Sequence, residues 1–405
     1  MHTSGLIAEY NPFHNGHRLQ LENIRAVLGS DTSIVVCMSG AFTQRGSAAI
    51  LPKGVRARCA VENGADLVIE LPTVFAVRSA QYFAEGGVRL LASLGIIDTL
   101  AFGTECEDSS FSARIAEKLR LSETQQSLRD FMKQGHSYAE ALTKALGLTS
   151  EEADELRQPN TILAVEYQRA LQTFAPEIKP LPLLRKGSGY HDAEISSEYP
   201  SASAIRKSIS ESGVTDAVRK AVPASVFSAL EKEPCFPNGE RLFRPLLAKL
   251  YTMSPEALAK CIGINEGLEN RIISAAKSAG SLDELCDSLS SRRYPKSRIR
   301  RTLLSLLLSP SPDECRHFEE SGPLYIRVLA FNERGRGLLK EIREKGSLPL
   351  VSRVRPFLRH SADAPDTPAQ RMLYYDTVAS DLRGLTLDPL PPAGEDFLLS
   401  PAYVK

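Results

Sequence analysis

The sequence predicts an α/β fold built on a parallel sheet. Short apolar runs of strand length recur along the first half of the chain, and stretches with helical periodicity separate them. Each run stops at glycine, proline or a small polar residue. Strands separated by helices of this length require crossover connections, which pack as right-handed units on a parallel sheet.

Gly5-Leu6-Ile7-Ala8 is the first strand, and Asn11-Pro12 stops it, because the residue before proline is held out of the helical region. Ser33 to Met38, ending at Ser39-Gly40, is the second strand, and Asp66 to Leu71, ended by Pro72, is the third. Thr99 to Phe102, before Gly103, is the fourth. Leu21, Ile24, Val27 and Leu28 mark the helix after the first strand, and Val88, Leu91 and Leu94 the helix before the fourth. Residues 109–174 read as helical, with breaks near Gly135 and Gly147. A fifth strand, Pro180 to Leu184, leads into a glycine-rich loop, and a helix begins near Ser201. The stretch Glu233 to Gly239 looks like a connection between structural units. Beyond it, residues 242–308 are mainly helical, and the tail from Leu324 mixes apolar runs with turns around Pro365, Pro368 and Pro389 to Pro392. Two domains are expected, 1–215 and a mainly helical 216–405.

At 405 residues the chain can bury two or three cores. Its 49 basic and 49 acidic residues cancel, which argues against indiscriminate nucleic-acid binding and leaves room for a local basic patch. No apolar run reaches membrane-spanning length, and the N-terminus lacks a basic region followed by an apolar stretch and cleavage site, so a cytoplasmic protein is expected. The 7 cysteines are scattered without a C-x-x-C pair, suggesting neither a zinc site nor a disulfide framework. No dedicated carboxylate cage for a metal is visible, and no protein partner is inferred.

The segment after the first strand carries the chemistry. Two of the 7 histidines, His14 and His17, flank Gly16 at a predicted helix start. Gly16 removes a side chain where a phosphate would approach backbone, and the first N–H groups of the helix offer an anion site. A histidine donates hydrogen bonds to phosphoryl oxygens, and its charge responds to a nearby polyphosphate. An ordinary turn with surface histidines is the alternative for H-x-G-H alone. In parallel sheets ligands bind at the carboxyl ends of strands, where strand order reverses. The histidine turn and Gly103 both lie at such ends, so they belong on one edge.

Other segments suit the same site. Asn160 could cap the helix running to Phe174. Arg185 opens the string R-K-G-S-G-Y-H-D, and its guanidinium suits forked contacts with phosphate. Ser203 and Arg206 sit in S-A-S-A-I-R at a helix start. The loop Ser39 to Gly46, with Lys53, Arg56 and Arg58 beyond it, could face phosphate or RNA, or simply be solvated. The densest charge cluster is Arg292-Arg293-Tyr294-Pro295-Lys296-Ser297-Arg298-Ile299-Arg300-Arg301. Its cations suit RNA phosphates and its tyrosine a stacking contact; a solvated helix face is the alternative.

H-x-G-H after an apolar strand resembles the signature of the nucleotidyltransferase α/β superfamily. The longer E-Y-N-P-F-H-N-G-H is similar to the tRNA(Met) cytidine acetate ligase family, as are P-N-x-I-L-A at Asn160, R-x-G-x-x-Y-H-D at Arg185, and R-Y-x-x-S-R-I-R-R. The S-A-S-A-I-R segment resembles the superfamily's second signature, with Ala202 and Ala204 departing from it.

The resemblance implies a Rossmann-like nucleotidyltransferase domain and an ATP site. That site comprises Ile7, Ala8, Glu9, Tyr10, Asn11, Pro12, Phe13, His14, Asn15, Gly16 and His17, with Gly103 against the nucleotide, Asn160, Arg185, Lys186 and Ser203. His14, His17, Arg185 and Arg206 are the expected catalytic groups, the histidines exposed in the site. Arg292, Arg293, Lys296, Arg298, Arg300 and Arg301 are the expected RNA contacts. The implied reaction is ATP-dependent transfer of acetate, through acetyl-adenylate, to N4 of the wobble cytidine (position 34) of elongator tRNA(Met), with magnesium accompanying ATP. A coenzyme-type small-molecule adenylyltransferase explains the two signatures but not the C-terminal basic cluster. A non-catalytic RNA-binding protein leaves the intact histidine turn unexplained.

Overall fold

The apolar runs form β1 (Thr3–Ala8), β2 (Ser33–Ser39), β3 (Leu67–Leu71), β4 (Thr99–Thr104) and β5 (Lys179–Leu184) in a computed structural model describing residues 2–136, 138–185, 199–265, 267–358 and 367–405. They lie parallel in the order β5-β4-β1-β2-β3. Leu6 on β1 pairs with Val36 on one side and Ala101 on the other. The chain steps outward from β1 through β2 to β3, then returns to place β4 on the other flank of β1. This reversal between β1 and β4 opens a crevice at their carboxyl ends.

Helices cover both faces, so β2 is buried along its whole length and reads as continuous apolar sequence rather than an alternating one. On one face, Ile7, Val35 and Ile69 pack with Phe83, Val88, Leu91, Tyr167 and Leu171. On the other, Leu6, Val36 and Val68 pack with Leu21, Ile24, Ala57, Ala60, Ile205 and Ile209. Val27, expected on the buried stripe of helix Asn15–Leu28, instead faces solvent.

Three further strands join the sheet from far along the chain: β6 (Ile326–Phe331), β7 (Leu350–Val351) and β8 (Ala402–Tyr403). β6 runs antiparallel to β3, while β7 and β8 both pair with β6. The span 216–405 therefore does not pack as one separate body, since its part from Ile326 onward completes the sheet begun by residues 3–184. The separate body is smaller. Helices between Phe243 and Leu308 enclose their own core of Leu246, Leu258, Ile272, Leu285 and Leu303.

The reason lies on β3. Glu70 is fully buried there, and without β6 its strand would be a bare edge. β6 sets Arg327 in register with Glu70, and the guanidinium sits 2.9 Å from Glu70 and 3.0 Å from Asp396. Lys53 Nζ closes the network at 2.7 Å from both carboxylates. Lys53 is thus a buried structural cation rather than a phosphate contact. Arg56, also buried, donates to the carbonyls of Leu51, Glu9 and Gly40. Arg58 pairs with Glu62 on the surface. None of the three faces the crevice.

Candidate active site

The crevice between β1 and β4 opens into a cavity of about 520 Å³. Its walls carry Ile7, Ala8, Glu9, Tyr10, Asn11, His14 and His17 from β1 and the turn after it. Gly103 comes from β4, Asn160 from helix Pro159–Phe174, and Arg185 follows β5; Ser203 and Arg206 come from helix Ala202–Ser212. Segments scattered over two hundred residues meet at one sheet edge. Lys186 and the rest of its glycine-rich string lie outside the described residues.

The turn is built to hold two imidazoles. Tyr10 leaves β1 with φ 48°, a left-handed conformation uncommon outside glycine and a form of backbone strain found at functional sites. Its ring packs edge-on against Phe13 and His17. His14 caps helix Asn15–Leu28, its Nδ1 accepting the Gly16 N–H at 3.1 Å. His17 Nδ1 accepts the His14 N–H at 3.2 Å. The rings stack with centroids 3.7 Å apart. Gly16 serves this stack directly, since a Cβ there would press on the His14 ring at 3.0–3.1 Å.

His14 is buried at 3% exposure and His17 is half-buried, not exposed as expected; stacking and packing under Tyr10 take their rings out of solvent. Burial, reinforced by Arg185 and Arg206, pushes the His14 pKa down to about 3. Burial, then His14 and Arg185, hold His17 well below the usual imidazole range. Both rings are therefore neutral near pH 7. With each Nδ1 occupied as an acceptor, the proton sits on Nε2, so each ring presents an N–H donor. An incoming polyphosphate would offset the two arginines and raise both pKa values.

Asn160 does not cap its helix. Gln158 is the cap position and Pro159 the first helical residue, so Asn160 already lies within the first turn. Its amide instead donates to Glu105, and its Oδ1 faces the Arg185 guanidinium at 3.4 Å. Gly103 makes room for that arginine, because a Cβ there would meet Arg185 Cγ and Cδ at 3.1 Å. Arg206 donates to the Asn11 carbonyl at 2.6 Å and to Ser203 Oγ at 3.2 Å, tying the histidine turn to its own helix. Asn15 makes a second tie, donating to the Lys220 carbonyl at 2.7 Å. Glu105 was missed from sequence. It stands two residues beyond Gly103, where the strand-end rule could have found it.

The basic cluster divides in three. Arg292 and Arg293 are exposed. Lys296 and Arg300 are held by carboxylates: Lys296 lies 2.9 Å from Asp283 and 2.6 Å from Asp287, and Arg300 lies 2.7 Å from Asp283. Arg301, with Ser297, faces inward and lines the same cavity as the histidines. Tyr294 is buried, bonds Asn265 through its hydroxyl at 2.9 Å and carries Arg298 over its ring. It cannot stack on a nucleobase as expected, because the helical unit's core needs it.

The cavity can cradle a polyphosphate with neutral imidazole donors, arginines and a helix N-terminus, which are the groups that stabilise charge building on phosphoryl oxygens. Among the described residues, no three His, Cys, Asp or Glu side chains cluster to hold a metal. No helix of the described residues is long and apolar enough to cross a membrane.

Residues 1–391 match the family model described as HIGH Nucleotidyl Transferase. The chain is 36% identical to the tRNA(Met) cytidine acetate ligase of Halothermothrix orenii, with 98% of each chain aligned. It is 38% identical to that of Acetivibrio thermocellus, with 94% of each aligned. Among solved structures, apo Thermotoga maritima TmcAL superposes with a TM-score of 0.91 at 30% identity, covering 100% of both chains. The same protein bound with alpha-thio ATP superposes at 0.89, covering 100% of this chain and 99% of that one.

Proposed function

Because the chain belongs to the tRNA(Met) cytidine acetate ligase family of HIGH nucleotidyltransferases, we propose that it joins acetate to N4 of the wobble cytidine of elongator tRNA(Met) at the expense of ATP. One observation supports this above the others. The cavity that holds the histidine turn also takes part of its wall, Ser297 and Arg301, from the helical unit. A small-molecule adenylyltransferase has no need of that second body; an enzyme that must bring RNA to an activated acyl group does.

Two steps follow. Free acetate is a poor acyl donor, so its oxygen attacks the α-phosphorus of ATP, and pyrophosphate leaves. Negative charge builds on the phosphoryl oxygens, where Nε2–H of His14 and His17, Arg185 and Arg206 stand to stabilise it. The cytidine N4 then attacks the acetyl carbonyl; the bond to the phosphate oxygen breaks, AMP leaves, and N4 gives up a proton. No covalent enzyme intermediate is needed. Magnesium, bound through the ATP phosphates and water rather than by a protein cage, would neutralise phosphate charge. Arg292, Arg293 and Arg298 take RNA phosphates, joined by Lys296 and Arg300 when RNA competes with Asp283. The setting is cytoplasmic.

Incubating the protein with unmodified elongator tRNA(Met), labelled acetate and ATP tests this. Label on the anticodon cytidine, with equal AMP and pyrophosphate, is the expected result. AMP transferred to a small phosphorylated metabolite, with unlabelled tRNA, would establish the adenylyltransferase instead.

A further inference from the structure

We infer that Arg301, supplied by the helical unit, is a substrate-positioning residue of the nucleotide cavity and holds the carboxylate of the acyl substrate. The inference rests on the proposed ligase reaction and names the group that orients its smallest reactant.

The helix that carries Arg301, Lys296–Leu308, is fitted closely to the loop after β2. Gly46 has φ +77°, and a Cβ on it would meet the backbone of Arg300 and Arg301 at 3.1–3.4 Å. The neighbouring Gln44 N–H donates to Glu9 at the end of β1 at 2.7 Å, and the Gln44 side chain donates to the Arg78 carbonyl at 2.8 Å. The loop is thus clamped between the strand that ends in the histidine turn and the helix that carries Arg301. This fixes where Arg301 meets the cavity that Glu9, Tyr10 and the two histidines also line.

What surrounds Arg301 calls for an anion. Its one hydrogen bond among the described residues is a long one, 3.4 Å to the Gln44 carbonyl. Burial and the like charges of Arg298, Arg45 and Arg78 push its pKa down to about 10. A half-buried cation facing three others and bonded to a neutral carbonyl has, among the described residues, no ion pair like those that Lys296 and Arg300 make with Asp283. An anion arriving here gains a charge-assisted, forked contact without displacing a carboxylate.

Two anions could supply it, a carboxylate or an RNA phosphate. Position favours the carboxylate. Arg301 lines the same cavity as the groups expected to hold the α-phosphate, whereas Arg292 and Arg293 are exposed outside it. Acetate must also approach a polyanion of its own sign, and a cation beside the line of attack removes that repulsion while orienting the oxygen.

The test is acetate-dependent ATP–pyrophosphate exchange, run without tRNA and with saturating elongator tRNA(Met). Arg301→Gln should raise the KM for acetate by about tenfold to a hundredfold, the range for losing a charged hydrogen bond. The KM for ATP should stay within about threefold, and Arg301→Lys should recover part of the loss. A variant destabilised only through the loop clamp would shift its melting curve and both KM values, and lysine would not restore acetate alone. An unchanged acetate KM together with weakened tRNA binding would overturn the inference and return Arg301 to the RNA surface. A raised ATP KM alone would make it a triphosphate contact, which also overturns the inference. Failure of the wild-type protein to exchange in either arm would instead overturn the ligase reading itself.

Discussion

Two groups of cations in this molecule are partnered in opposite ways. Beneath β3 and β6, Lys53 and Arg327 meet the carboxylates of Glu70 and Asp396 at 2.7–3.0 Å. Around the carboxyl ends of β1 and β4, Arg301 bonds the Gln44 carbonyl and Arg185 faces the Asn160 amide oxygen. A carboxylate cancels a cation's charge and locks its position. A carbonyl or amide satisfies its N–H groups but leaves the charge available. The first arrangement pins the distant tail onto the sheet, and the second keeps positive potential pointed into a cavity suited to polyphosphate. Glu105 marks the boundary between them: it accepts from Asn160 and faces Arg185 without a direct ion pair among the described residues.

The largest effect should come from breaking the carboxylate-partnered set. Arg327→Met leaves Glu70 and Asp396 buried with Lys53 alone, and removing one member of a buried ionic group costs about 3–5 kcal/mol. Chemical denaturation should show that loss, while exchange activity per folded molecule stays near wild type. A stable variant would mean that the network holds nothing together; an inactive but stable one would mean it serves the cavity. Next comes the histidine pair. His17→Ala should lower turnover by ~10²-fold or more, as for losing one oxyanion-type donor. Near-normal acetyl-adenylate formation by the folded variant would remove His17 from catalysis.

A smaller effect separates the two kinds of surface cation. Replacing Arg292 and Arg298 together with glutamine should weaken tRNA binding and reduce the slope of log affinity against log salt by roughly 1.4–1.8, about 0.7–0.9 for each phosphate that is no longer neutralised. Exchange without tRNA should persist. Replacing Lys296 and Arg300 should change the slope less, since Asp283 already neutralises them in the free protein. Equal slopes for both sets would erase the distinction drawn from their partners.

The sequence carried the site better than it carried the molecule around it. The histidine turn stood out at a strand end, and Gly103, Asn160 and Arg185 through their resemblance to family strings; the four line one cavity. The rule that ligands bind at strand carboxyl ends put the histidine turn and Gly103 on one edge, but the strand order itself was not legible. Partners that come from far along the chain were not legible. Nothing local says that Lys53 meets Asp396, 343 positions away, or that β6 pairs antiparallel with β3. Tyr294 and Arg301 sit in one basic string, yet one is core and the other faces the cavity, because helix docking rather than composition decides which side each presents. Asn160 fits a cap by residue type, but Pro159 starts the helix one residue earlier and frees its side chain for Glu105 and Arg185.

The smallest predicted effect tests the neutral histidines directly. His14 titrates near the ordinary imidazole value of about 6.5 in the unfolded chain and at about 3 in the fold. Its folded pKa is depressed, so its contribution to stability is fully present above pH 6.5 and is lost as pH falls toward 3, because only the unfolded chain takes up the proton. Between pH 6.5 and 5.5 that loss is about 1 kcal/mol for one group. His14→Asn keeps an acceptor for the Gly16 N–H, since asparagine caps helices well, but does not titrate. The variant should therefore lose less stability than wild type over that interval, by about 1 kcal/mol in paired denaturant titrations. Nitrogen-15 NMR of the imidazoles should meanwhile show both rings as the Nε2–H tautomer at pH 7, with protonation favoured once a triphosphate binds. An imidazolium signal at pH 7 in the free protein, or parallel stability curves for the two proteins, would mean that the cavity already holds charged histidines. The arginines partnered by carbonyls would then not be its main source of positive potential.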